Sequence, residues 1–553
     1  MLQQTINKKS EELEKKLIEI ELKREEEHYR KIAQTLNLPF SDLKTVPIST
    51  EVLILISEED ARSSKLAIIS RSGAKLIAAA VNPELPETKK VLEQLKNRGF
   101  SVSFIIVTPS TLSQVWDRYA TTKQIKTFES GTVNIREEEL ELFQEQILNV
   151  ADLRDKVTKI SATKMLEILI AGALKIGASD IHFEPETEKV RLRYRLDGVL
   201  SDIVAIDVLS YEKILNRVKI VSNLKLNIHG APQDGRFTIN QKNAVIEVRV
   251  SILPSEFGET VVMRLLDPRT IKEGLEQLGI REDLLVLIKE QISKPTGAIL
   301  TTGPTGSGKT TTLYAFVRHL NNPGTKIITI EDPIEYHIQG ISQTQVEPEK
   351  GYGFANGLRA IVRQDPDIIL VGEIRDAEAA DIALQAALTG HLVFSTIHTN
   401  NAAGTIPRLI DLGVKPEIIA PAISMAIAQR LVRKLCLKCR VQDTPPQETL
   451  KKIETVLGPL KAKFKLPAFN ASLKIFFPGK CKECNEMGYR GRLGIYEAFV
   501  MSKAMEKLIL KSPAISDIEN LAVSEGMVTM LQDAYLKMLG GLTSLEEIGR
   551  IIG

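Results

Sequence analysis

Only four cysteines occur among 553 residues, and all lie beyond residue 435. That is too few to staple a chain of this size, so a disulfide framework is excluded and a reducing cytosol is expected. Aromatic residues make up 5%, with one tryptophan, a poor stock for stacking on single-stranded bases. Charge of one sign is missing as well: 72 Lys and Arg stand against 70 Asp and Glu, a net of +2. That balance excludes coating nucleic acid or an anionic membrane as the main task. No run approaches the roughly 18 to 20 apolar residues that a bilayer requires, so no transmembrane segment is expected. The opening MLQQTINKKSEELEKK has no apolar core behind its charges and does not read as a secretory signal. There is no repeat of fixed period and no low-complexity tract. What is present, 43% hydrophobic and 26% charged residues, is the balance of a folded globular protein. At about 150 residues per domain the length allows three or four domains.

Residues 1–35 read as a charged amphipathic helix. Leu13, Leu17 and Ile20 fall at i, i+4 and i+7 among Lys, Arg and Glu, a stripe too thin to hold a core by itself. It is either a solvated extension or a docking helix. Residues 36–125 read as a small α+β docking domain. Apolar runs at Val52 to Ile56, Leu76 to Val81 and Phe104 to Val107 alternate there with charged helical segments. A polar linker over 126–151, holding a charged helix at about 136–148, leads to a second domain over 152–270. In it Asp197-Gly198 and Asp234-Gly235 read as turns. Arg191, Arg193 and Arg195 alternate with Leu192, Tyr194 and Leu196, which puts three guanidinium groups on one face of a strand. Like charges in a row repel, and an anionic partner would relieve them. Arg236 follows the second Asp-Gly pair, and Arg249 and Arg264 lie on later strands. A linker over 271–283 precedes the third domain, 284–553.

That third domain carries the chemistry. The apolar strand Gly297 to Thr302 runs directly into Gly303-Pro304-Thr305-Gly306-Ser307-Gly308-Lys309-Thr310, and Thr311 opens a helix-competent stretch. Strand, glycine loop and helix in this order make a phosphate site: backbone N–H groups close around the β- and γ-phosphates at the positive end of the helix. Lys309 would neutralise phosphate, and the Thr310 hydroxyl would ligate magnesium. Three more apolar runs end in Glu331-Asp332, in Glu373 and in His398. Such runs suit parallel strands buried on both faces, whose ligands gather at the carboxyl ends. An acid after a strand is more often a helix cap than a catalyst, but four strands ending at one edge in such residues point to a nucleotide site. No cation lies in cis within these segments to meet charge developing in the transition state, which directs attention to the arginines of the second domain.

Cys436-x-x-Cys439 and Cys481-x-x-Cys484, separated by 41 residues, pair as a tetrahedral zinc site. Four thiolates leave no open position for water, so the zinc would be structural. The gap requires a whole insertion, over 434–490, rather than one hairpin.

Together these segments closely resemble a known family. The glycine loop, TIEDPIEY (Thr329 to Tyr336), RQDPDIILVGEIRD (Arg363 to Asp376) and TGHLVFSTIHTN (Thr389 to Asn400) resemble the Walker A, Asp box, Walker B and His box of secretion ATPases, the motors of type II secretion and type IV pili. SDIHFEP (Ser179 to Pro185), RYRLDG (Arg193 to Gly198) and QDGR (Gln233 to Arg236) are similar to that family's preceding domain. The resemblance implies an α/β protein: a RecA-like P-loop core ending in C-terminal helices, a PAS-like α+β domain before it, a small N-terminal α+β domain and a zinc-binding insertion. It implies ATP and magnesium at the loop from Gly303 to Thr311. Glu331 would polarise or deprotonate the attacking water with Asp332 beside it, and Glu373 would act through the magnesium shell. Which of Glu331 and Glu373 is the base stays open. His398 would hold or sense the γ-phosphate, and His391 would order its loop. Arg195 and Arg236 match arginines that reach a neighbouring subunit's nucleotide, as arginine fingers do.

GYRGRLGIYE (Gly488 to Glu497) extends the resemblance beyond the cysteines, a subdomain typical of assembly motors and absent from pilus retraction motors. In some members the N-terminal domain binds a cyclic dinucleotide through two repeats. Both copies are not found here, so docking alone is expected of it. The leading reading is a cytoplasmic homohexamer, recruited to the inner face of the membrane, that drives type IV pilus assembly through the cytoplasmic part of a platform protein. Type II secretion is the alternative. A DNA-transport ATPase and a nucleotide-gated scaffold without turnover are the other classes; direct nucleic-acid binding is not expected.

Overall fold

The computed structural model describes residues 23–43, 50–53, 55–72, 75–97, 100–125, 132–133, 150, 153, 162–241, 244–271 and 274–552. Leu13, Leu17 and Ile20 lie outside the described residues, as do the charged stretch 136–148 and most of 126–151; residues 23–35 are helical. The chain divides into two compact units, residues 1–134 and 135–553. Among the described residues no helix is long and apolar enough to cross a membrane.

In the first unit β1 (Leu66–Ser72), β2 (Lys75–Ala80) and β3 (Ser101–Ile106) form a sheet. β2 lies in its middle, antiparallel to β1 and parallel to β3. Leu66, Ile68, Leu76 and Ala78 pack in one core with Leu112, Val115 and Tyr119 from the helix Pro109–Ile125. The run from Val52 to Ile56, expected as a strand, is not one. Thr50–Leu53 is helical, and Ser57 caps the next helix, Glu58–Ser63, by accepting from the Asp60 N–H at 3.0 Å. Leu53 and Ile56 are the buried pair, a spacing of three that suits a helical face rather than the alternation of a strand. A two-residue strand, β4, spans Thr132–Val133.

The second unit begins with the helix Ala162–Ile176 and an antiparallel sheet. Its strands are β5 (Ala178–Pro185), β6 (Lys189–Leu196), β7 (Val199–Asp207), β8 (Gln233–Gln241), β9 (Ala244–Ser255) and β10 (Gly258–Leu266). They lie in the order β8-β9-β10-β5-β6-β7. Asp197 and Gly198 both have positive φ, 48° and 86°, the conformation a two-residue hairpin needs. Asp234-Gly235 is not a turn. Both sit inside β8, paired with Ser251 and Val250 of β9. The glycine is there for space: a Cβ at Gly235 would stand 2.6 Å from the Ser222 carbonyl oxygen.

The connection expected over 271–283 is packed rather than free. Leu275 and Leu278 are buried with the following domain, and the helix Glu282–Ile292 starts within it. That domain is built on β11 (Gly297–Thr302), β12 (Ile327–Glu331), β13 (Ser342–Gln345), β14 (Ile368–Val371), β15 (Leu392–Ile397), β16 (Ile423–Leu435) and β19 (Tyr489–Val500). Their order is β13-β12-β14-β15-β11-β16-β19. All pairs are parallel except β16 with β19. The strands β12, β14 and β15 are buried throughout because helices cover both faces: Lys309–Leu320 and Glu282–Ile292 on one, Phe354–Val362 and Ala377–Leu388 on the other. One edge strand, β13, is four polar residues, Ser-Gln-Thr-Gln. On the other, the Tyr496 N–H of β19 donates to Asp533 at 2.7 Å and the Gly494 carbonyl accepts from Lys537 at 2.6 Å, both from the helix Met530–Leu539. Between β16 and β19 lies the insertion, with β17 (Val441–Asp443) paired to β18 (Ile475–Phe477).

Candidate active site

The loop from Gly303 to Thr310 leaves β11 in the middle of the sheet, and the helix begins at Lys309. Close approach dictates two of its glycines. A Cβ would stand 2.3 Å from the Gln429 carbonyl oxygen at Gly303 and 2.8 Å from the Gln429 side-chain nitrogen at Gly308, and both have positive φ. The Lys309 ammonium donates to the carbonyls of Gly303 and Pro304 at 2.7 and 3.1 Å. Burial holds its pKa below the usual lysine value, and the Glu373 carboxylate opposes that fall. Thr310 is exposed at the helix start, Thr311 is half-buried, and Ser307 is buried. Gly306 and Thr305 form the exposed crest of the loop.

The two candidate acids differ sharply. Glu331 ends β12 but is 3% exposed. It accepts from the Tyr314 hydroxyl, from Thr329 at 2.6 Å and from the Gln343 amide at 3.2 Å. Burial first, then this carboxylate, push the Tyr314 phenol well above its ordinary pKa. Glu373 is tied to Arg375 and lies 3.4 Å from His398 Nε2. Arg375 also reaches Asp332 at 3.4 Å. Asp332, Glu373, Arg375 and His398 thus form one cluster. His398 lines a cleft with Gly303, Pro304, Thr399 and Asn400. The turn after His398 is fastened to the sheet: the Thr302 hydroxyl contacts the carbonyls of Ile397 and Thr399 at 2.8 and 3.0 Å.

His391 is not in this cluster. It precedes the six residues of β15, whereas His398 follows them, a separation of about 23 Å at roughly 3.3 Å per residue. Its Nδ1 faces the Ala386 carbonyl at 3.0 Å, at the end of the helix Ala377–Leu388.

The absence of a cation in cis does not hold. Arg375, in GEIRD two residues after Glu373, was legible as a cation and was passed over. A second missed residue is Gln429, 2% exposed in β16, whose side-chain amide oxygen accepts from the Thr312 hydroxyl at 2.7 Å. The available signal was an amide directly after the apolar run Met425 to Ala428, which must find partners when buried.

The row of arginines on β6 does not call for an outside anion either. Arg191 pairs with Asp202 of β7 at 2.8 Å, Arg193 with Glu184 of β5, and Arg195 with Asp180 of β5 at 3.3 Å. The neighbouring strands supply the counter-charges, which a single-strand reading could not foresee. Asp180 is shared with Arg264 at 2.9 Å, so one carboxylate faces two guanidinium groups and the pair-plus-one stays cationic. Its own pKa is lowered, the two arginines and the Ser179 hydroxyl outweighing burial. Arg236 sits in β8 opposite Arg249 and is exposed. Arg249 joins the two sheets of this unit: it donates to the Ile334 carbonyl at 3.0 Å and lies 3.6 Å from Glu335, just beyond Asp332.

The four cysteine sulfurs all lie within 4.8 Å of one another. Cys436 and Cys481 are 3.8 Å apart, Cys439 and Cys484 3.7 Å, Cys481 and Cys484 3.6 Å. A tetrahedron with metal–sulfur bonds of about 2.3 Å has edges of about 3.8 Å. The donor set and its spacing are therefore compatible with zinc.

A parallel sheet covered on both faces, with a glycine loop at the end of an interior strand and acids and a histidine at the ends of the strands beside it, defines a RecA-like P-loop ATPase. Residues 155–550 match the model of the family described as Type II/IV secretion system protein, and residues 36–124 match that of the MshEN domain. The chain belongs to the type II/IV secretion system protein family, and it is an ATP hydrolase. The type IV pilus assembly ATPase PilB of Myxococcus xanthus is 33% identical over 94% of this chain and 89% of its own length. The type II secretion system protein E of Xanthomonas campestris pv. campestris is 41% identical over 73% of this chain and 69% of its own. Among solved structures, the ATPase DotB of Legionella pneumophila superposes with a TM-score of 0.52 at 21% identity, covering 71% of this chain and 96% of that one. That likeness concerns the fold.

Proposed function

We propose that this protein powers type IV pilus assembly, as a cytoplasmic homohexamer recruited to the inner face of the membrane by a platform protein. One observation carries the reading: the match to the pilus assembly relative spans 94% of this chain, N-terminal region included, whereas that to the type II secretion relative spans 73%. The 41% identity of the latter over the part it matches keeps type II secretion as the second reading. Deleting the gene and counting surface pili tests it. Normal piliation together with loss of a secreted enzyme would favour secretion instead. Residues 36–125 dock the motor to its apparatus, and the arginine sheet and the ATPase sheet serve as two domains of the motor, with the stretch from Leu275 onward belonging to the second.

In this reading the backbone of Gly303 to Gly308 and the Lys309 ammonium bind the β- and γ-phosphates, and Thr310 and Glu373 are the residues that would hold a magnesium ion. Bound magnesium would supply charge neutralisation at the phosphates. His398 faces the γ-phosphate across the cleft. Arg375 is neutralised by Glu373 and Asp332 and holds both acids in place. Glu373 is the better-placed proton acceptor, because it lies beside His398, which lines the cleft, whereas Glu331 is buried against Tyr314, Thr329 and Gln343.

Two substitutions separate the acids. Glu373→Ala is expected to keep ATP binding and lose turnover by roughly two to four orders of magnitude; loss of binding in a nucleotide titration would give Glu373 a structural role. Glu331→Ala leaves the buried Tyr314 hydroxyl without the acceptor for its proton, at a cost of about 1–3 kcal/mol. A lowered melting temperature is the expected result. An unchanged melting curve with abolished turnover would return the base to Glu331.

One zinc per chain is expected at Cys436, Cys439, Cys481 and Cys484. Thiolates must give up protons to bind it, so chelation should loosen residues 434–490 before the glycine loop. Elemental analysis of reduced, freshly purified protein reads the stoichiometry, and absence of metal would refute the assignment.

A further inference from the structure

The cysteine loop does more than close an insertion. The geometry points to Asp197 as a positioning residue through which the tetracysteine knuckle of the same chain holds the Arg195 hairpin in place. Asp197 occupies the turn between β6 and β7, two residues after Arg195. Its carboxylate accepts from the Gly491 N–H at 2.8 Å, at the start of β19 and seven residues past Cys484. Arg195 leans on the same turn, donating to the Gly198 carbonyl at 3.2 Å. A polar cavity lies between Lys175, Leu196 and Asp197 on one wall and Glu483, Asn485 and Arg490 on the other.

The sulfurs shape the facing loop. Cys484 Sγ accepts from the Gly488 N–H at 3.3 Å, and the Cys481 and Cys484 carbonyls accept from Glu486 and Met487 at 2.9 and 3.0 Å. Asn485 and Glu486 are thereby held at positive φ, 51° and 60°, which non-glycine residues rarely adopt unaided. Asn485 also accepts from the Val150 N–H at 3.0 Å, ahead of the arginine sheet. Without a cation to hold four sulfurs at tetrahedral spacing, this loop has little to keep its shape, and the turn loses its abutment. Zinc then serves as a strut for the arginine hairpin rather than for the nucleotide loop. The step from hairpin to rate rests on the reading that Arg195 reaches a neighbouring subunit's nucleotide.

Two variants at Asp197 suit the left-handed backbone and differ in the acceptor: Asp197→Gly removes it and Asp197→Asn keeps one. In the full-length, zinc-loaded protein, amide exchange over residues 196–201 should rise in Asp197→Gly and stay at the wild-type level in Asp197→Asn. Chelating zinc should raise exchange there in the wild type and add little in Asp197→Gly. For turnover, Asp197→Gly should lower kcat about ten- to a hundredfold, as misplacement of a reacting partner does, with KM for ATP nearly unchanged. Mixed with Lys309→Ala protein it should recover activity, because that chain brings a sound hairpin; mixed with Arg195→Ala it should not. Wild-type exchange over 196–201 in both Asp197→Gly and the chelated protein overturns the strut. Wild-type kcat in Asp197→Gly, beside an impaired Arg195→Ala, overturns the positioning role. If Arg195→Ala itself turns over normally, the neighbour-site reading has failed, and the exchange arm still decides the strut.

Discussion

Replacing Lys309 by alanine is expected to abolish ATP turnover and to leave the fold intact. The ammonium donates only to the Gly303 and Pro304 carbonyls of its own loop, so its loss frees two acceptors at a partly exposed site. The catalytic loss is of another order. A charge fixed where it would face the β- and γ-phosphates stabilises the transition state far more than a mobile one in solution, and no other free cation of the cluster replaces it. Arg375 cannot, because Glu373 and Asp332 already engage it. Steady-state phosphate release should fall to background while the melting curve stays within a few degrees of the wild type. Residual hydrolysis near the wild-type rate would remove the glycine loop from the mechanism.

The second large effect concerns the arginines. Arg236 is exposed on β8, and Arg195 shares Asp180 with Arg264, so both keep positive charge to offer another molecule. If they complete a neighbour's site, an isolated protomer should be nearly inactive, since such a finger supplies about three to five orders of magnitude in rate. Arg236→Ala should cost more than Arg195→Ala, because Asp180 partly neutralises the latter. Mixing either variant with Lys309→Ala protein should restore some activity, a good finger then facing an intact loop in the same ring. Co-assembled mixtures no more active than their components would place both arginines in service of their own chain.

The nucleotide strands were legible because burial on both faces writes itself as unbroken apolar runs ending in polar residues, and Glu331, Glu373 and His398 do end three such strands at one edge. What the runs could not tell was which end residues turn toward the cleft. Glu331 turns into the protein because Tyr314, on the helix after the glycine loop, meets it there, a contact of two distant segments. His391 is named with His398 through the resemblance of TGHLVFSTIHTN to the family's His box, and the six residues of β15 place the two at opposite ends of that strand. The arginine row on β6 was read correctly as one face, but the carboxylates that answer it come from the strands on either side. Asp234-Gly235 shows the same limit: the pair signals a turn locally, and only the close approach of the Ser222 carbonyl explains a glycine inside a strand.

The two edges of the ATPase sheet bear on how such molecules can live side by side. A bare strand edge is a template on which another chain can anneal, and annealed backbones part slowly. Here one margin, β13, is four polar residues long, and on the other the Tyr496 N–H and Gly494 carbonyl are taken by Asp533 and Lys537. Neither margin offers a long unpaired ladder. In the proposed hexamer, copies meeting at these margins would therefore do so through side chains, bonds that form and break one at a time. If the copies shift against each other as nucleotide is consumed, that is the kind of joint they need, since an ATPase sheet running on from copy to copy would weld the ring shut.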